Sequence, residues 1–277
     1  MSSNLINIDT TKKLLSDAFA GNESSIGLLA LFASTIEYPQ LDTNKEMESL
    51  EALTAVAKRR LGNEKEYLPR ITILSEYLFD EVGFSGNQVD FYDPKNSYLN
   101  MVLERRVGIP LLLSIVYLDV AKKVGVDCSG IGSPRHFLVG ASIEGEWIYL
   151  DPFNRGLIMN KFEARGFVTK LLPKDHKWQE SFLEPVSKKE IVSRIYRNLK
   201  HLYINGNELE KAYSVIDLLV SLQPDNFDEI RDRGILGVQL GLKSQSLADL
   251  KWYISQNPVG RTAMDAQSLI EYLENKS

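Results

Sequence analysis

The sequence predicts an α+β fold, with helices before and after a mixed core, and three observations carry that expectation. Leu111-Leu112-Leu113-Ser114-Ile115-Val116-Tyr117-Leu118 is an almost unbroken apolar run after a Gly108-Ile109-Pro110 break, the mark of a helix packed on all sides. Two short segments rich in β-branched and aromatic residues follow, one containing His136-Phe137-Leu138-Val139 and one ending Trp147-Ile148-Tyr149-Leu150-Asp151, and both read as strands. From Lys188 the pattern is helical again. There Leu202, Gly206 and Pro224 recur as Leu236, Gly241 and Pro258, at offsets of 34, 35 and 34, the period at which stacked helix pairs repeat.

Each element has a local reason. Apolar residues at 28, 29, 32, 33 and 36 share one face of a helix over Ser24–Ile36, which Pro39 ends. Met47, Leu50, Leu53, Ala57 and Leu61 do the same over Lys45–Leu61, with Gly62 as the stop. A third helix is expected over Pro69–Val82, closed by Gly83, and an ordered loop from Gly83 to Asp93. Asp93 and Pro94 suit an N-cap and first helical position for a helix running from Asn96 to Arg106. On it Asn96, Asn100 and Glu104 would form one polar stripe. Pro110 opens the apolar helix, and Lys122 and Lys123 suit its C-terminal turn. Glu144-Gly145-Glu146 reads as a hairpin turn that sets His136 and Asp151 on adjacent antiparallel strands. After Gly156 the pattern loosens, and Pro173–Pro185 reads as a connector. The expected division is 1–180, with its core at about 90–160, and a helical tail at 187–277.

Composition bounds the function. A chain of 277 residues with 44% hydrophobic and 25% charged residues has an ordinary globular balance. Its formal net charge of -5 and isoelectric point near 5.4 give no reason to expect nucleic acid or an anionic membrane as partner. No stretch approaches the ~20 consecutive apolar residues needed to span a bilayer. The first ten residues lack the basic region and apolar run of a secretory signal. Cys128 is the single cysteine, so neither an internal disulfide nor a thiolate-rich zinc site is expected, and the reading is a reducing cytosol. No cofactor and no metal is expected, because His136 and Asp151 have no further ligands at recognisable spacing.

A buried helix followed by a His-bearing and an Asp-bearing strand is the skeleton of a Cys/His/Asp acyl-transfer site. The sequence from Tyr77-Leu78-Phe79-Asp80 through Tyr92-Asp93-Pro94-Lys95-Asn96-Ser97-Tyr98-Leu99-Asn100, Leu103-Glu104-Arg105-Arg106-Val107-Gly108-Ile109-Pro110, His136-Phe137-Leu138-Val139 and Asp151-Pro152-Phe153-Asn154 resembles the SirB-type branch of the transglutaminase-like superfamily. The resemblance implies a transglutaminase-like (papain-like) core followed by a tetratricopeptide-like helical tail. In active members a Cys at the start of the buried helix attacks a carbonyl, the His takes its proton and the Asp orients the ring. His136 and Asp151 match that His and Asp, while Arg135 stands where the branch more often has Gly. The Cys position falls at Pro110, between Ile109 and Leu111, and none of the three carries a nucleophile.

The resulting expectation is a cytosolic transglutaminase-like protein that binds a protein or peptide instead of cutting it. Its site pair is His136 and Asp151, and its binding candidates are Asn96, Asn100, Glu104, Arg105, Arg106, Arg135 and Asn154. Two alternatives stand beside it: a hydrolase or transamidase with Cys128 or Ser114 as relocated nucleophile, and an assembly module working through the tail. Plainer readings also apply: a core-edge histidine for His136, a turn former for Asp151, an inert thiol for Cys128, a packing residue for Ser114, and surface charges or partners of Glu104 for Arg105 and Arg106.

Overall fold

A computed structural model describes residues 8–20 and 24–275; the stretch read above for a signal sequence lies outside them as far as residue 7. The chain divides into two compact units, Asp17–Val192, and Met1–Ser16 together with Ser193–Ser277. Helix α1 (Ile8–Ala20) has residues in both.

In the first unit, α2 (Ile26–Ser34) starts where the Ser25 side chain accepts from the Leu28 N–H. Helix α3 (Thr43–Leu61) is capped by Asp42 and stops at Gly62, whose φ of +50° lies in the left-handed region that glycine adopts without strain. Helix α4 (Tyr67–Ser75) runs on into a π turn, Glu76–Glu81. A parallel two-stranded ribbon pairs β1 (Ser85–Gly86) with β2 (Val107–Gly108). Between them lie a 3₁₀ turn, Pro94–Ser97, and α5 (Leu99–Arg105). Helix α6 (Pro110–Lys123) is the centre of the unit: every residue from Pro110 to Ala121 is buried, against α2, α3 and the sheet. Burial of such Leu, Ile and Val side chains contributes about 1.5–3 kcal/mol each.

The sheet is antiparallel in the order β3 (Ser129–Ile131), β4 (Leu138–Ile143), β5 (Glu146–Asp151), β6 (Leu157–Asn160). The expected hairpin is present. Ile143 pairs with Glu146 across a two-residue turn in which Glu144 and Gly145 both have positive φ, as a tight hairpin of this hand requires. Helix α7 (Lys161–Leu171) then covers the sheet, opened by a reciprocal capping box between Asn160 and Glu163.

In the other unit the residues of α8 (Lys188–Asn205) from Ser193 onward are followed by α9 (Leu209–Leu222), α10 (Phe227–Gln239), α11 (Lys243–Ser255) and α12 (Arg261–Asn275). From α9 on, each packs on the next. Gly206 and Gly241 fall in the turns after α8 and α10, and Pro224 and Pro258 in those after α9 and α11, as the repeat predicts.

Four expectations are corrected. The helix from Asn96 to Arg106 is broken at Tyr98, which is extended (φ −118°, ψ 125°), so Asn96 is not on one stripe with Asn100 and Glu104. Tertiary contacts make the break: the Tyr98 ring is buried edge-on against Tyr38, and the Leu99 N–H donates to Ser34 Oγ at 3.0 Å. His136 is not on a strand but in the turn before β4, where its N–H reaches the Ser133 carbonyl. The loosened pattern after Gly156 contains β6 and α7. Pro173–Pro185 is packed rather than a bare connector: Leu183 joins the core of Ile131, Leu138 and Tyr149, with Trp178 and Phe182 against it.

Candidate functional site

Asp151 ends β5 and is fully buried. Pro152 follows and cannot donate, so the chain turns and aims the next two N–H groups back: Asp151 Oδ1 accepts from Phe153 N at 3.0 Å and Asn154 N at 3.3 Å. Its Oδ2 accepts from Asn154 Nδ2 at 2.8 Å and lies 2.9 Å from His136 Nε2. The turn-former and ring-partner readings of Asp151 are therefore both true. The turn holds the carboxylate still, and the carboxylate holds the ring.

His136 is 8% exposed and set edge-to-face with Phe153 (5.1–6.0 Å bracket both rings) and Phe167. With Asp151 Oδ2 accepting from Nε2–H, Nδ1 is the ring nitrogen left to accept a proton. Arg135, exposed beside it, has φ +59°. A glycine fits that left-handed position without strain, so Arg135 fills a backbone role otherwise suited to Gly.

The start of α6 lies near this pair. Ser114 Oγ is 3.4 Å from the carbonyl of Phe137, the residue after His136, and Pro110 is one helical turn earlier, about 6 Å. From the other side, β2 leads into Pro110 and pairs with β1. A Cβ on Gly86 of β1 would come within 2.5 Å of the Phe153 ring, so only a glycine lets that ring approach. Ile109, Pro110 and Leu111 are buried and carry no nucleophile. A cavity of about 480 Å³, lined by Gly86, Asn87, Val89, Phe153, Asn154 and Arg155, opens against the residues that brace the pair. Val89, Phe91 and Tyr92 are exposed on the same loop, and Phe91 stacks edge-on against Phe153.

Neither alternative nucleophile has suitable geometry. Ser129 pairs with Gly140, so Cys128 is level with Ala141, three residues of register or about 10 Å from Leu138 at the start of β4, and His136 lies in the turn before that strand. Burial pushes its thiol up to about 12, with Asp127 adding to the rise. Ser114 is fully buried and its hydroxyl is directed at a backbone carbonyl.

The binding candidates separate. Asn154 joins the pair. Asn96 does not: it is fully buried, donates to the Asp90 and Phe91 carbonyls at 2.8 and 3.2 Å, and accepts from Asn87 Nδ2. Its role is to shape the 87–96 loop. Arg105 pairs with Asp93 at 2.6 Å, and Arg106 donates to the Val82 carbonyl and lies 5.4 Å over the Phe84 ring, so neither joins the pair. Asn100, Glu104 and Arg106 line a different cavity, of about 620 Å³, with Glu46 and Tyr77. The sequence reading missed Phe153 and Phe167. Phe153 lay within a quoted motif, but only the fold shows that its ring braces His136.

Residues 44–197 match the transglutaminase-like superfamily and 199–271 the tetratricopeptide repeat. The chain belongs to the transglutaminase-like superfamily, with a tetratricopeptide-repeat region behind the core. It is similar to a UPF0162 protein of Xylella fastidiosa (strain Temecula1), 33% identical over 83% of each chain. F-box only protein 21 of Homo sapiens is 28% identical over 60% of this chain and 27% of that one. Among solved structures, a crystal structure of menin described as revealing the binding site for Mixed Lineage Leukemia (MLL) protein aligns over 98% of this chain and 71% of that one. Its identity is 9% and its TM-score 0.44. Among the described residues no helix is long and apolar enough to cross a membrane, and no cluster of His, Cys, Asp or Glu has metal-binding geometry.

Proposed function

We propose that this chain is a cytosolic transglutaminase-like protein that lacks the superfamily's catalytic cysteine and binds a protein or peptide without cleaving it. One observation carries the reading: the His136–Asp151 pair is in place, and the helix start that would present a thiol carries Pro110. Without that group the covalent route has no first step, since a neutral imidazole has nothing to deprotonate. The cavity beside Asn154 and the exposed apolar loop Val89–Tyr92 supply a surface suited to a peptide partner. The tetratricopeptide-repeat region supports an interaction role of the same general kind.

The test is turnover by the purified full chain on a glutamine-containing peptide, read as ammonia release, amine incorporation and peptide cleavage. The expected result is no rate above that of His136→Ala. A rate that His136→Ala abolishes overturns the proposal.

A further inference from the structure

At the Cys128 end of β3, away from His136, the first unit holds a cavity of about 410 Å³ that the proposed function does not use. Ile26, Leu118, Val126 and Ile191 give it apolar walls. Two cations also line it, Lys122 in the last turn of α6 and Lys188 in the first turn of α8. Lys188 Nζ donates to the Ser24 carbonyl at 2.8 Å, a neutral acceptor, and no ion pair involves either lysine among the described residues.

The carboxylates nearby do not cancel this charge. Asp119 is buried in the wall but already engaged: the Ser25 hydroxyl and the Gly27 N–H donate to Oδ1, and Lys123 pairs with Oδ2 at 2.8 Å. Asp127 is exposed and opposes only one of the two lysines' charges. Burial and the neighbouring Lys122 charge both push the Lys188 ammonium below the usual lysine range. The two cations therefore face a common space in which the Lys122 charge disfavours the Lys188 ammonium, and an anion between them relieves that repulsion.

We propose that this cavity binds a small organic acid, with its carboxylate between Lys122 and Lys188 and a compact apolar body against Ile26, Leu118, Val126 and Ile191. The apolar walls select against a bare inorganic anion. Asp127 selects against a second negative charge on the ligand. A cavity of this size with a few polar groups on apolar walls has the make-up of a small-molecule site.

The test is titration of the folded full chain with hexanoate, followed by calorimetry and ligand-observed NMR, with hexanamide and inorganic phosphate as comparison probes. Saturable hexanoate binding is expected at a Kd on the order of 1 mM or tighter. It should weaken about tenfold or more in Lys122→Gln and in Lys188→Gln, and be unchanged in His136→Ala. Hexanamide should bind about tenfold more weakly than hexanoate, and phosphate should compete poorly. If Lys188→Gln fails to fold, Lys122→Gln, at an exposed side chain, decides alone. The proposal is overturned if hexanoate does not saturate, if hexanamide or phosphate binds as well, or if the lysine variants bind hexanoate as the parent does.

Discussion

In the helical unit, Lys200 reaches Glu229 at 2.8 Å and also Asp232, while Arg233 forks onto both oxygens of Asp249 and onto Asp217. In the core unit His136 and Asp151 face each other at 2.9 Å. Both are buried polar clusters, and the difference between them separates structure from chemistry. Each helical cation is matched by carboxylates, and hydrogen bonds to Asp249 hold the Arg233 charge. The core cluster instead contains an imidazole, the one side chain that ordinarily changes charge near neutral pH. Buried charge alone does not mark a site.

The largest effect should come from the helical cluster. Lys200→Met removes the cation shared by Glu229 and Asp232, leaving them Arg197 and Arg231, and should lower stability by about 3 kcal/mol in chemical denaturation of the full chain. Adding Glu229→Leu should recover part of that loss. A Lys200→Met variant as stable as the parent would end the structural reading of this network.

Next is Asp151→Ala, which leaves the Phe153 and Asn154 N–H groups and the His136 ring without their acceptor; the expected loss is about 2–3 kcal/mol. Asp151→Asn should cost less, because an amide oxygen still accepts. Equal losses in the two variants would show that the ring's need for a carboxylate oxygen, and not the turn, dominates the site's demand on this residue.

Cys128 gives a pH test. A thiol pushed up to about 12 is protonated at pH 8, so iodoacetamide should alkylate it roughly a thousandfold more slowly than an ordinary cysteine of pKa ~8.5. Its rate should still climb about tenfold per pH unit through pH 10, where the ordinary thiol has levelled off. A plateau near pH 8 would reopen the relocated-nucleophile reading.

The smallest effect concerns Arg105. Burial works against the Asp93 carboxylate, but the Lys95 N–H and the Arg105 guanidinium outweigh it and hold its pKa below the usual range. The folded value lies below the unfolded one, so the pair stabilises above about pH 3.9 and the contribution is lost as pH falls through the folded value. Arg105→Ala should cost about 1 kcal/mol at pH 7, with the gap from the parent closing in acid. A gap independent of pH would assign the loss to packing.

Much of this was legible in the residues because it rests on local pattern. The apolar run at Leu111–Leu118 and the Glu144-Gly145 turn each have a cause within a few neighbours, the 34-residue period repeats one helix pair with its turns, and each element formed. What was not legible depended on distant contacts. Asn96 reads as a helix-face residue until Asn87 and the Asp90 carbonyl are seen to claim it, and Tyr98 breaks its helix for the sake of Tyr38 and Ser34. For the pair the sequence supplied the identities of His136 and Asp151, and their 2.9 Å approach needed the register of β4 on β5.

The central claim is that the pair stands ready and the start of α6 offers it nothing to activate. Its most direct measurement is the pH–rate profile for alkylation of a thiol placed there, Pro110→Cys with Cys128→Ser. The account predicts an apparent thiol pKa well below the ordinary ~8.5, returning toward it when His136→Ala is added. A thiol at 110 that reacts identically with and without His136 would contradict it.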